Sequence, residues 1–183
     1  MTDLFTQYIE SSYQRIPTVF FWGMLLVYFV AIVLTLTLKG WQDGRRKVFG
    51  LTSIMYIFVL FCSTILFRVT NEESGSDFHP FWSYRAILGG RNDLVIENIM
   101  NFLVFVPVGF LFGCSFSKIK LWNVIIIGAL VSSSIESLQF MFNRGFSEFD
   151  DVFHNVLGCI FGYGLYVLMV RIFKHKYLNK CLI

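Results

Sequence analysis

The sequence predicts an all-α fold, a polytopic transmembrane helix bundle of about five spans, and three observations predict it. The first is composition: 56% of the 183 residues are apolar, only 15% are charged, and mean hydropathy is +0.64. Soluble domains sit nearer about 45–50% apolar and about 25% charged. So few charges cannot shield 22 Phe from water. The second is the presence of five apolar runs, each near the roughly 20 residues a helix needs to cross a hydrocarbon core. The third is an uneven distribution of Lys and Arg along the chain.

The runs fall at about 17–38, 48–67, 94–116, 121–142 and 151–173. Helices are required because lipid offers no partner to an unpaired backbone group. The first run does not read as a cleaved leader: it exceeds the roughly 7–15 residues of a secretory apolar region, and Asp3 and Glu10 outnumber Arg15 before it. Ahead of it, Leu4, Phe5, Tyr8, Ile9, Tyr13 and Ile16 recur near helical spacing. Between the second and third runs, Phe78-His79-Pro80-Phe81-Trp82-Ser83-Tyr84 is dense in aromatics. Both segments suit the headgroup region, where Tyr and Trp keep one wet edge and one apolar face; simple packing on the helix ends is the alternative. Without an internal repeat or low-complexity segment, residues 1–183 read as a single membrane domain.

Orientation follows from the basic residues. Lys39, Arg45, Arg46 and Lys47 follow the first run, Lys118 and Lys120 the third, and Arg171, Lys174, Lys176 and Lys180 lie at the C-terminus. Those ten of the fifteen share one side, whereas Arg15, Arg68, Arg85, Arg91 and Arg144 fall on the other with most of the acids. By the positive-inside rule the N-terminus is outside and the C-terminus cytoplasmic.

Several function classes fall away. No basic run with interleaved aromatics marks nucleic-acid binding. Cys62, Cys114, Cys159 and Cys181 have no paired spacing, and His79, His154 and His175 are scattered, so neither a metal site nor a cofactor is expected.

The informative residues are polar groups inside the spans, where an ionisable side chain costs about 2.5–3.5 kcal/mol at the centre on insertion scales. Given the topology, the outer turns of the third helix carry Glu97, Asn98 and Asn101, and the outer half of the fourth carries Ser132, Glu136 and Gln139, with Arg144 beyond its end. The fifth opens on a stripe of Asp151, Asn155, Gly158 and Gly162; the second ends at Arg68. Spacings of three and four keep each set on one helix face. Bland readings accompany each piece. Asp150 and Asp151 suit a helix N-terminus. Gly158 and Gly162 form a small-xxx-small pattern that favours close packing and makes an oligomer possible. Pro107 and Gly109 fit a kink or a close approach. Glu136 needs a cation, a proton or water, with Arg68 and Arg144 as the available cations, so both an ion-pair network and a binding pocket stand open.

These residues carry a resemblance. Glu97-Asn98-Ile99-Met100-Asn101 with Phe105, Pro107 and Gly109, then Ser134-Ile135-Glu136-Ser137-Leu138-Gln139, Arg144, Asp150-Asp151-Val152-Phe153-His154-Asn155-Val156-Leu157-Gly158 and Gly162-Tyr163 resemble the pattern of VanZ-like membrane proteins. Leu66-Phe67-Arg68 and Pro80-Phe81 add to it, and the likeness covers about residues 60–165. It departs in the connection from Arg144 to Asp151, which carries an extra acid at Glu148. The resemblance implies a bacterial plasma-membrane protein of a family named for low-level resistance to teicoplanin, with Arg68, Asn98, Asn101, Glu136, Gln139, Arg144, Asp151 and Asn155 as its polar set.

Three functions compete. One is a protein that binds a membrane lipid, a lipid-linked envelope precursor or a lipoglycopeptide at an outer polar pocket, with arginine forks suited to oxyanions. The second is an enzyme acting on a lipid headgroup or prenyl-phosphate, with Glu136 or Asp151 as general base; no nucleophile elbow, metal motif or phosphate loop supports it. The third is an ion- or proton-coupled transporter with Glu136 as the coupling site, against which the lack of a repeat argues.

Overall fold

A computed structural model describes the backbone of residues 18–68, 76–77, 79–116, 118–144 and 146–180, and the side chains of all of these except 18–21, 38–43, 45 and 174–180. The expected interfacial segment at 4–16 lies outside the described residues. The elements, in order, are α1 (Thr18–Phe61), a π-helical turn (Cys62–Leu66), β1 (Ser76–Asp77), α2 (Trp82–Leu88), α3 (Asp93–Ser115), α4 (Leu121–Phe142), β2 (Ser147–Glu148) and α5 (Phe149–Lys180). Four stretches are long and apolar enough to cross a membrane: Arg46–Leu66, Asp93–Ser115, Leu121–Phe142 and Phe149–Phe173. Trp22–Thr37 is a fifth, shorter apolar helix, and the chain is the expected all-α membrane-type bundle.

The sequence predicted two helices and a loop here, and in α1 the two helical limbs follow one another with no intervening stretch of other structure. The element is nevertheless folded on itself. Tyr28 Oη hydrogen-bonds Thr52 Oγ1, 24 residues away, whereas a straight helix would part them by roughly 36 Å at its usual rise. The Leu36 side chain likewise lies 3.2 Å from where a Cβ on Gly44 would stand. Both contacts are centred on Gly40, so α1 is an antiparallel pair of limbs joined within the basic segment. In the first limb Trp22, Leu26, Val27 and Phe29 are exposed in the manner of a lipid face. Thr35 and Thr37 hydroxyls bond the carbonyls of Ala31 and Val33, leaving little unpaired polarity towards lipid.

The second limb runs antiparallel to α3: Ser53 Oγ meets Ser115 Oγ at 3.3 Å, and Tyr56 Oη donates to the Val104 carbonyl at 2.8 Å. Helices α3 and α5 run parallel and very close. A Cβ on Gly158 would stand 2.1 Å from the Phe102 carbonyl oxygen, one on Gly162 1.9 Å from that of Val106, and one on Gly109 1.9 Å from that of Cys159. The glycine stripe is therefore consumed inside the chain, and it does not present a free face to a second copy. Helix α4 packs antiparallel to α5, with Ser132 beside Asn155 and the Cys159 thiol within 2.8 Å of a Cβ on Gly128. The apolar core of Leu60, Phe105, Val108, Val124, Ile135 and Cys159 lies between these helices.

This arrangement gives the bundle two distinct ends. Arg46, Lys47, Lys118, Lys120 and Arg171 belong to one; the π turn, the start of α3, the end of α4 and the start of α5 meet at the other. Across the second end β1 and β2 pair in parallel, Ser76 with Ser147 and Asp77 with Glu148, a clasp that the sequence did not announce.

Candidate functional site

The polar end is built around two carboxylates with separate duties. Asp150, fully buried at the first turn of α5, accepts hydrogen bonds from Phe81 N (2.6 Å), Ser83 N (2.9 Å) and Ser83 Oγ (2.6 Å). It thereby caps α2, whose first amides have no partner within so short a helix. Phe81 holds a left-handed backbone (φ 61°, ψ 26°), unfavourable for an aromatic residue, and the Asp150 bond to its N–H fixes it there. Its ring packs edge-on to Phe153 with centroids 5.5 Å apart. Asn98 Nδ2 reaches the same Ser83 Oγ at 3.3 Å, so α3 is tied into the cap. His154 stands beneath it, with Nδ1 2.7 Å from the Asp150 carbonyl and Nε2 2.8 Å from Tyr84 Oη. The aromatic segment expected at the interface is thus a short helix latched onto α5.

Glu136, buried in α4, does other work. Its Oε2 accepts the Glu148 amide of β2 at 3.1 Å, which seats the strand clasp on the bundle. Glu148 is buried and accepts the Trp82 indole N–H at 3.0 Å. Burial, with the charge of Glu97 next, pushes the Glu148 carboxyl up to about 8, against the opposing pull of the Trp82 bond.

The arginines are placed differently from the sequence expectation. Arg68 pairs with Glu97 at 3.6 Å, both side chains partly exposed, and Arg144 donates to the Arg68 carbonyl at 2.9 Å. The left-handed Asn143 (φ 51°) that ends α4 turns Arg144 into that position, and Arg144 N bonds back to the Gln139 carbonyl at 2.9 Å. The two guanidiniums consequently do not form an open clamp, and Arg144 does not bridge Glu136.

The remaining predicted residues converge between α3, α4 and α5. Gln139 Nε2 donates to the Thr64 carbonyl of the π turn at 3.3 Å, and Asn155 Nδ2 donates to Ser132 Oγ at 2.7 Å. Four buried side-chain atoms are left without a hydrogen-bond partner: Asn101 Nδ2, Gln139 Oε1, Asp151 Oδ1 and Asn155 Oδ1. Buried polar atoms are nearly always paired, and each one left unpaired carries a desolvation penalty of about 1–3 kcal/mol. Among the described residues every such atom belongs to this end of the bundle and to the predicted set. Glu97, Glu136, Glu148 and Asp151 lie within electrostatic reach of one another, with Arg68 acting on Glu136 and Asp151 and Arg91 on Glu97 and Glu148.

Sequence reasoning brought together all eight predicted residues at one end but gave Asp150 no more than a capping role and left Glu148, Trp82, Ser83 and Tyr84 out. Only the aromatic density around Trp82 and the departure at Glu148 hinted at them.

The fold and this polar end define an integral membrane helix bundle that crosses the bilayer several times and gathers its buried polar groups at one face. Residues 19–171 match the VanZ/LLP1 family model, and the chain belongs to that family. It is 30% identical over 87 residues to Protein VanZ of Enterococcus faecium, an alignment covering 48% of this chain and 54% of that protein, about half its length. No solved structure matches the chain.

Proposed function

We propose that this protein is a multi-pass protein of the bacterial cell membrane whose polar end faces outward, binds a lipid-linked or lipophilic molecule, and so modulates susceptibility to teicoplanin-type glycopeptides. The observation that carries the reading is the occurrence of four orphaned polar atoms, on three helices, at the end of the bundle that holds Glu136. A purely structural network would pair such groups with each other; Gln139 and Asn155 are instead each held by one bond and left with an unpaired oxygen. Gln139 illustrates it, since Thr64 can only accept and so fixes the amide nitrogen, directing Oε1 elsewhere. Membership of the VanZ/LLP1 family and the likeness to Protein VanZ support the link to glycopeptides.

Glu136→Gln tests it. Glutamine keeps a carbonyl oxygen for the Glu148 amide, so the clasp and the protein level should persist. Expressed in a sensitive host, the wild type should raise teicoplanin tolerance and the variant should not, at equal membrane abundance. Glu136→Leu removes the acceptor and should lower abundance as well. Unchanged tolerance in Glu136→Gln would reduce Glu136 to a support for β2.

A further inference from the structure

We propose that the orphaned polar atoms of α3, α4 and α5 recognise the primary ammonium of a zwitterionic lipid headgroup; this rests on the reading of that end as a ligand site. Three of the four orphaned atoms are acceptors: Gln139 Oε1, Asp151 Oδ1 and Asn155 Oδ1. Their side chains are at least nine-tenths buried, with residue exposures of 2%, 5% and 4%. They therefore ask for a ligand that chiefly donates hydrogen bonds. The carboxyls agree, because Glu97, Glu136, Glu148 and Asp151 crowd one another while Arg68 and Arg91 are already paired with Glu97 and Asp93, so an arriving cation would relieve that crowding. An anionic headgroup would meet acids and acceptors where it needs donors.

Geometry also narrows the cation. Among the described residues no three His, Cys, Asp or Glu side chains are grouped closely enough to hold a metal ion. The acceptors are spread over α4 and α5, in keeping with an –NH3+ that sends three N–H bonds in divergent directions. The orphaned donor, Asn101 Nδ2 on α3, faces the opposite requirement and suits an oxygen a few bonds from the nitrogen, as an ethanolamine phosphate provides. A quaternary ammonium has the same charge and no N–H, so it cannot satisfy these acceptors.

The test uses the full chain in detergent, titrated with dihexanoyl phosphatidylethanolamine, phosphatidylcholine or phosphatidylglycerol while thermal unfolding is followed. A ligand that binds only the folded state raises Tm saturably. The ethanolamine lipid should do so, with an apparent affinity at least tenfold above that of the choline lipid and with no shift from the glycerol lipid. Asp151→Asn should weaken the ethanolamine response at least tenfold. If that variant is not recovered folded, Gln139→Met, which removes the orphaned Oε1, carries the same comparison. Equal responses to ethanolamine and choline would overturn the N–H recognition, and a preference for phosphatidylglycerol would overturn the charge assignment. An ethanolamine response unchanged in Asp151→Asn or Gln139→Met would place binding elsewhere. Loss of teicoplanin tolerance in Glu136→Gln without any ethanolamine response would keep the functional site and discard this ligand.

Discussion

At the scale of single residues, the two adjacent aspartates show how one helix start serves two ends. Asp150 points back over α2 and is fully consumed by three donors, whereas Asp151 points into the bundle and keeps a bare oxygen. The sequence could not separate them, because both fit a helix N-terminus and the deciding donors are backbone amides 67 to 69 residues upstream. Spacing marks which side chains share a helix face, but loop amides have no periodicity to read. Asp150→Asn puts an NH2 in place of one acceptor and should destabilise the α2 latch, seen as faster protease cleavage between α2 and α3. Glu148 offers a pH measurement. Its carboxyl holds a proton up to about 8 when folded and only to its ordinary 4.5 when unfolded. The folded state thus binds the extra proton across that interval, so stability falls as pH rises from about 4.5 to about 8 and levels off beyond. Tm should drop by a few degrees over that range, at about 2–4 °C per kcal/mol for a chain of this size. Glu148→Gln should flatten the profile; an identical slope in the variant would assign the effect to another group.

At the scale of elements, the spans were legible because bilayer thickness fixes their length and composition marks them. Helices α3 and α4 begin and end within a residue of the expected limits. The basic stretch after Thr37 reads as a connection because charges interrupt hydrophobicity there, and the chain does reverse direction in it, though the turn is tighter than a loop of irregular structure. The clasp of β1 and β2 was illegible, since two residues per strand are too few for any alternation. The glycines could be read only as close packing of unknown partner, and α3 is the partner. Phe102 and Val106 present carbonyls four residues apart to Gly158 and Gly162, also four apart, which locks the parallel register of α3 and α5. Even one methyl is then too much: Gly158→Ala and Gly162→Ala should lower the folded yield, overpacking costing about 1–3 kcal/mol. Gly164, with nothing within 4 Å of a Cβ, is the matched control, and Gly164→Ala should leave yield unchanged. Equal yields for all three would mean the helices part more easily than their packing implies.

For the whole molecule, the separation of charge between the two ends is what converts a helix bundle into a directional object. Arg46, Lys47, Lys118, Lys120 and Arg171 lie at the end away from Glu136, and the positive-inside rule then predicts that the polar end faces the outer leaflet. The glycopeptide reading depends on that orientation, because an extracellular glycopeptide is met only from outside. Cysteine labelling decides it at positions whose replacement leaves the basic count intact: Ser74, between the π turn and α2, and Gln42, between the two limbs of α1. With Cys62, Cys114, Cys159 and Cys181 replaced, Ser74→Cys should react with an impermeant maleimide in intact cells, and Gln42→Cys should react only after the membrane is opened. The reverse pattern would turn the polar end to the cytoplasm. It would leave the lipid contact possible from the inner leaflet, but it would remove direct contact with an extracellular glycopeptide, and the proposed effect on susceptibility would have to fall with it.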